Sequence, residues 1–258
     1  MSSYSYSSFD KRSIIIVGHT GGGKSYLLNK LIDENIFISS ADTQSCTDKV
    51  ISSEWRRVKF KNGNREIYFD LNAFDTPGIG DSKGRSKQFL NDIARTIKST
   101  PLNLIIVMVE YGKHDTNVYN TLEVLGECLQ GVNRYSSMLV VNKVPTLKIL
   151  EKKRKKGEQV SNRDTELRLT YDLVSRVIGI SFKHEIFIEN DDSEENINYE
   201  KYNMIRKEIF MCDSHLDASK VRTWNEIYNF YSSNDRNRNK DKLVRLENAL
   251  INPSQIEI

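Results

Sequence analysis

Cysteine is almost missing from this chain. Of 258 residues only Cys46, Cys128 and Cys212 are cysteines, an odd and scattered set. It cannot make a disulfide framework, and its spacing matches no zinc site. A reducing compartment is the natural setting. Long apolar runs are missing too. The longest, Leu104 to Val109, falls far short of the roughly 20 residues of a bilayer-spanning helix. Residues 1–10 are rich in Ser and Tyr and hold no apolar signal-peptide segment. Ser2 stands where N-myristoylation needs a glycine, and no prenylation cysteine closes the chain. A cytosolic protein is therefore expected. An excess of one charge is also lacking. Lys and Arg (38) nearly balance Asp and Glu (35), for a net charge of +3, so nothing asks for a nucleic-acid partner. There is no Ser-His-Asp set, no carboxylate dyad and no RNA-binding motif.

What is present is a regular alternation of strand and helix patterns. Ser13 to Val17 is a β-branched run ending in glycine, a buried strand entering a loop. From Lys24 the apolar residues Leu27, Leu28, Leu31 and Ile32 share one helical face. Residues 36–53 have no clear period. Trp55–Phe60 and Ile67–Phe74 flank Asn62-Gly63, a hairpin signal. Helices are expected over 86–99, 117–129, 165–178, 199–212, 219–231 and 240–251. Further strands are expected over 103–110, 137–141 and 185–188. This pattern predicts an α/β fold, a doubly wound and mostly parallel sheet covered on both faces, with one antiparallel edge strand. The expected organisation is a flexible leader (1–10), a nucleotide-binding domain (11–195) and a C-terminal helical extension (196–258). Trp55, Trp224 and the tyrosines of the last helices are expected in the core.

One motif carries the chemistry. Gly18-His19-Thr20-Gly21-Gly22-Gly23-Lys24-Ser25 matches G-x-x-x-x-G-K-[ST] in full. Glycines let the backbone N–H groups curl around a β-phosphate, and the following helix offers the positive end of its dipole. Lys24 can reach the β- and γ-phosphates, and the Ser25 hydroxyl can ligate Mg2+. Tyr26 closes the stretch expected to touch nucleotide. At average residue usage the pattern arises by chance in roughly 1% of chains this long. Its position between a strand and a helix makes chance a poorer account still. Asp75-Thr76-Pro77-Gly78 ends an apolar strand run, which sets Asp75 beside the phosphate loop as a magnesium carboxylate and Gly78 as a γ-phosphate sensor. A switch threonine should complete the magnesium shell. Thr43 has the spacing usual in small GTPases, with Thr47 as its competitor.

These residues, with three further stretches, resemble the AIG-type (immunity-associated, GIMAP-like) GTPases, relatives of septins and chloroplast import GTPases. Thr43-Gln44-Ser45-Cys46 looks like the first switch of that family, and Phe74 to Gly78 like its I-D-T-P-G. Thr100-Pro101-Leu102-Asn103 with the following strand and Tyr111-Gly112 resembles its signature box. Phe187-Ile188-Glu189-Asn190 resembles its last nucleotide motif. The likeness covers roughly residues 11–190. It implies binding of GTP and GDP with Mg2+, and slow hydrolysis by a switch or self-assembling scaffold that pairs with a second copy across the nucleotide face. Lys113 stands where the family carries an Arg that can be offered to the partner's phosphates, and His114 follows it. Two departures matter. Small GTPases read guanine with N-K-x-D; here Asn142-Lys143 is followed by Val144-Pro145, and Pro145 has no side-chain acceptor. Glu189 could supply the missing carboxylate, with Asn190 beside it, or could be a surface residue next to an acidic loop. No Gln follows Gly78 to orient water; Ile79, Gly80 and Asp81 do. A nucleotide-gated assembly protein with negligible hydrolysis, or a P-loop ATPase with relaxed base specificity, stays open. Lys152–Lys156 (KKRKK) reads as a solvated helix face or as a contact for an acidic membrane surface or partner.

Overall fold

Strand β1 (Lys11–Gly18) carries four successive residues, Ile14 to Val17, with no solvent exposure. Successive side chains of a strand point to opposite faces, so such a run must be covered on both sides. The structure, a computed structural model that describes residues 10–39, 47–80, 84–113, 115–190, 197–233 and 237–250, builds that cover. Helix α1 (Lys24–Ile32) follows β1. The hairpin β2 (Ile51–Asn62) and β3 (Arg65–Asp75) comes next, then α2 (Ser86–Ser99), β4 (Leu104–Glu110) and α3 (Thr116–Cys128). After β5 (Ser137–Pro145) come α4 (Leu147–Lys155), α5 (Arg163–Ile178) and β6 (His184–Asn190). The chain ends in α6 (Tyr199–Met211), α7 (Trp224–Ser232) and α8 (Asn237–Leu250). The strand order is β2-β3-β1-β4-β5-β6, parallel throughout except for β2 against β3. The expected doubly wound sheet with one antiparallel edge is what the chain forms.

The core lies in two layers, one on each face of the sheet. Ile14 and Ile16 point toward α1 and α6, into a layer with Leu27, Leu31, Phe69, Ile205 and Ile209. Ile15 and Val17 point the other way, into a layer with Leu90, Ile93, Leu122, Leu125, Trp224, Ile227 and Leu246. Each fully buried side chain of this size contributes about 1.5–3 kcal/mol. The last three helices therefore divide between the faces. α6 lies beside α1, while α7 and α8 lie over α2 and α3. A capping box of Thr223 and Glu226 opens α7, and Lys98 of α2 donates to the same Glu226 at 2.6 and 2.7 Å.

Several local expectations need correction. Of the tyrosines of the last helices, Tyr202 and Tyr231 are buried, but Tyr199 and Tyr228 are 39% and 42% exposed. β5 does not stop at Val141 but continues to Pro145 across a register shift, so Asn142 and Lys143 belong to the strand. The helix expected from 219 begins at Trp224. Trp55 is not core: it is 46% exposed, with Lys11 Nζ 5.2 Å from its ring centroid. A bulge between Ser52 and Trp55, with Glu54 at φ 56°, is the reason. The extra residue reverses which side chains face inward, so Ser53 is buried before it and Val58 and Phe60 after it.

Candidate functional site

The phosphate loop hangs between β1 and α1, at the ends of the parallel strands where ligands bind in such sheets. Its shape is dictated by close backbone contacts. A Cβ on Gly18 would lie 2.2 Å from the Met108 carbonyl oxygen, and one on Gly78 would lie 2.3 Å from Thr20 Cα. No side chain fits at either place. The second contact brings the D-T-P-G turn against the loop. Thr20 N–H donates to the Ile79 carbonyl and Ile79 N–H to the Gly18 carbonyl, both at 3.3 Å. Thr76 Oγ1 donates to the Ile16 carbonyl (2.7 Å) and fastens the turn to β1.

Lys24 is buried, and its Nζ donates to the carbonyls of His19 (3.0 Å) and Gly18 (3.5 Å). Burial pulls its pKa down to about 8, against the opposing pull of Asp75. Ser25 Oγ donates to Asp75 Oδ2 at 2.6 Å, and Thr47 Oγ1 donates to the same oxygen at 3.1 Å. Burial raises the Asp75 pKa, while the Ser25 hydroxyl opposes the rise. Thr43 lies outside the described residues, as do Asp81, His114 and residues 191–196. Of the two switch candidates, Thr47 is the one whose hydroxyl is described, and it meets both Ser25 and Asp75. His19 folds back inside the loop, where its Nδ1 donates to the Thr20 carbonyl. Burial first, and then the charge of Lys113, lower its pKa to about 4.

A test of fit for Mg2+ and phosphate comes from the buried polar atoms. Asp75 Oδ1, Thr20 Oγ1 and His19 Nε2 are buried with no hydrogen-bond partner among the described residues. Buried polar groups normally have partners, and these three cluster around the phosphate loop. A hard divalent cation takes oxygen donors of the kind that Ser25, Thr47 and Asp75 supply. The residues present fit both groups.

Asn142 and Lys143 brace the loop from β5. Asn142 Nδ2 donates to the Gly22 carbonyl (3.0 Å) and Lys143 Nζ to that of Gly21 (3.2 Å). Lys143 has φ 58° and also pairs with Glu110 at 3.1 Å. Glu110, which sequence reasoning missed, sits 3.9 Å from Lys113 as well. Lys113 thus lies at the nucleotide end of the sheet, with 41% of its side chain exposed. The Tyr26 side chain turns away, 47% exposed, into a hydrogen bond with Tyr202 of α6. Only its backbone can serve the nucleotide.

The base end differs from expectation. Glu189 pairs across the sheet with Val144, and Asn190 with Pro145. The Glu189 carboxylate, however, accepts from Arg163 Nη1 at 2.7 Å, each side chain being 16% exposed. Asn198 clamps the Glu189 backbone on both sides, at 2.9 and 2.7 Å. Glu189 is thus tied to α5, and Asn190 is exposed. Neither Arg163 nor Asn198 was signalled by a motif. The Thr100–Asn103 stretch lies at the opposite end of β4. There Asn103 Oδ1 accepts from Ser13 N–H (2.8 Å), and its Nδ2 donates to the Ser214 carbonyl (3.2 Å). Its role is to hold β1 and the segment after α6 together.

Residues 13–143 match the family described as 50S ribosome-binding GTPase. The chain is 32% identical over 132 residues to GTPase Era of Thermoanaerobacter sp. (strain X514), covering 51% of this chain and 38% of the relative. It is 27% identical over 126 residues to Immune-associated nucleotide-binding protein 7 of Arabidopsis thaliana, covering 46% and 38%. The match thus spans well under half the length of these curated relatives. Among solved structures, one described under the heading that dimerization is important for the GTPase activity of the chloroplast translocon components atToc33 and psToc159 superposes with TM-score 0.57. It has 16% identity and covers 80% of this chain and 84% of that one. Toc33 from Arabidopsis thaliana in complex with Mg2+ and GMPPNP gives TM-score 0.52 at 15% identity, covering 81% and 88%. At these identities the likeness is one of fold.

Proposed function

The chain belongs to the 50S ribosome-binding GTPase family, and on that premise we propose that it is a slow, Mg2+-dependent GTPase acting as a nucleotide-governed switch that pairs with a second copy. The observation that carries the reading is the group of Lys24, Ser25, Thr47 and Asp75 around a glycine loop, with Asp75 Oδ1 and Thr20 Oγ1 left without partners. Mg2+, when bound, neutralises phosphate charge and holds the phosphate oxygens in one geometry. Ser25, Thr47 and Asp75 are its oxygen donors in this reading. Lys24 is free to exchange two carbonyl acceptors for phosphate oxygens, a stronger charge-assisted bond. Backbone N–H groups at the start of α1 add the favourable helix end.

Slowness follows from what succeeds Gly78. Ile79 is fully buried in the core and bonded on both sides to the phosphate loop. It has neither the polar atoms nor the access to orient an attacking water. A cation delivered by a partner molecule can compensate, and Lys113 is the candidate, exposed and close to its own loop. A Lys cannot fork onto two oxygens as Arg does, so the stimulation is modest. Guanine is preferred over adenine by a narrower margin than an N-K-x-D motif supports, because Pro145 accepts nothing and Glu189 is engaged by Arg163.

The test is Mg2+-dependent GTP hydrolysis measured over a range of protein concentrations. Specific activity should rise a fewfold with concentration in the wild type and stay flat in Lys113→Ala. Absence of hydrolysis at every concentration, with GTP bound, would favour the nucleotide-gated assembly reading instead.

A further inference from the structure

The segment between β5 and α5 has no part in the nucleotide site, and within its helix only Leu150 is buried. Its helix α4 is nevertheless held at both ends. Thr146 Oγ1 accepts from Ile149 N–H (3.3 Å) and caps the start. At the other end Gly157, at φ 78°, turns the chain, and its N–H donates to the Arg154 carbonyl while Glu158 N–H donates to that of Lys153. Leu150 is the buried residue that fastens the helix to the body. Leu147 is 60% exposed.

On this fixed helix stand Lys152, Lys153, Arg154, Lys155 and Lys156, five consecutive cations. All five are exposed, and none of their side chains makes an ion pair or hydrogen bond among the described residues. The negative end of a helix dipole favours a cation or two in the last turn. Five exceed that need, and like charges three or four residues apart work against the helix. The cluster is therefore a cost to the isolated molecule that an outside anionic surface would relieve.

We propose that the Lys152–Lys156 turn docks this protein on the anionic surface of a lipid bilayer, with Leu147 entering the interface. Leu147 and Arg154, seven residues apart, share one face of α4, so an aliphatic group and a charge meet the same plane. A bilayer reads charge density and accepts aliphatic side chains. Single-stranded nucleic acid would instead call for aromatic stacking platforms, and residues 146–160 contain no aromatic residue. The charges are presented on a closed helix rather than a tail, so binding costs little ordering.

The experiment is co-sedimentation of the full chain with phosphatidylserine-rich vesicles and with phosphatidylcholine-only vesicles, at low and high salt. The wild type should bind the anionic vesicles only, and salt should release it. A variant with all five residues changed to Gln should partition about 100-fold less, since each basic residue near such a surface is worth roughly fivefold and about three of five consecutive helical residues can face one plane. Leu147→Ser should lower partition about fivefold. GTP affinity of both variants should match the wild type, which separates this result from any failure of the nucleotide site. Equal binding to neutral vesicles, or retention of vesicle binding by the five-Gln variant, would overturn the proposal. So would capture of polyuridylate RNA at the same salt without vesicle binding.

Discussion

The two halves of the nucleotide end are built differently. At the phosphate half, backbone contacts too close for any side chain join the loop after β1 to β4 and to the turn after β3, the side chains of Asn142 and Lys143 brace it from β5, and the polar atoms left over converge. At the base half, β5 bulges, Pro145 replaces an acceptor, and the Glu189 carboxylate on the neighbouring strand is taken by Arg163. The contrast teaches that phosphate binding can rest on backbone geometry, which a short motif specifies. Base reading needs particular side chains left free, and a neighbouring helix can take them away.

The sharpest way to break this comparison is at Lys24. Lys24→Ala should weaken GTP binding about 1,000-fold, ~4 kcal/mol, without loss of fold, as read by titration calorimetry and circular dichroism. Unchanged affinity in a folded variant would remove the phosphate half from the argument. Gly78→Ala comes next. Its methyl group would sit 2.3 Å from the Thr20 backbone, so either the turn or the loop must move. Urea denaturation should show a loss of ~3 kcal/mol; a loss near zero would mean that the two segments are not packed as described.

His19 tests the same half through pH. Its folded pKa of about 4 lies below the ordinary 6.5, so the unfolded chain takes up the proton first as pH falls. Stability of the ligand-free protein is then full above pH 6.5 and is lost between 6.5 and 4, by about 2 kcal/mol at pH 5. His19→Gln should remove this part of the slope, and parallel pH profiles for the two proteins would count against a buried neutral imidazole. The smallest effect belongs to the base half. Glu189→Ala should cost about 1–2 kcal/mol of stability by leaving the largely buried Arg163 with only the looser Asp164 pair at 3.6 Å. It should change the GTP-to-ATP affinity ratio by less than about threefold. A collapse of that ratio would return Glu189 to the role of base reader.

Several features were legible before any coordinates. The β-branched run Ser13–Val17 and the helix over 86–99 are signalled by local periodicity and form where expected. The hairpin also forms, but one residue later than its Asn62-Gly63 signal, since Asn62 pairs with Arg65 and Gly63-Asn64 make the loop. Trp55 was not legible, because a single bulge residue reverses the inward face of β2 and no local pattern announces it. Arg163 was not legible either. It lies 26 residues from Glu189, and only the docking of α5 beside β6 joins them.

By itself the sequence determined the alternation of strands and helices, and with it the doubly wound sheet, because hydrophobic period and length are local properties of the chain. It likewise determined the phosphate loop, whose eight contiguous residues carry their own geometry. Tertiary structure alone decided that α6 and α7 separate to opposite faces of the sheet. It also decided that Ile79 is locked into the core, that Asp75 receives both Ser25 and Thr47, and that Glu189 is claimed by Arg163. Those outcomes depend on which distant segments meet, and side chains far apart in sequence compete for the same partner only once the layers have packed.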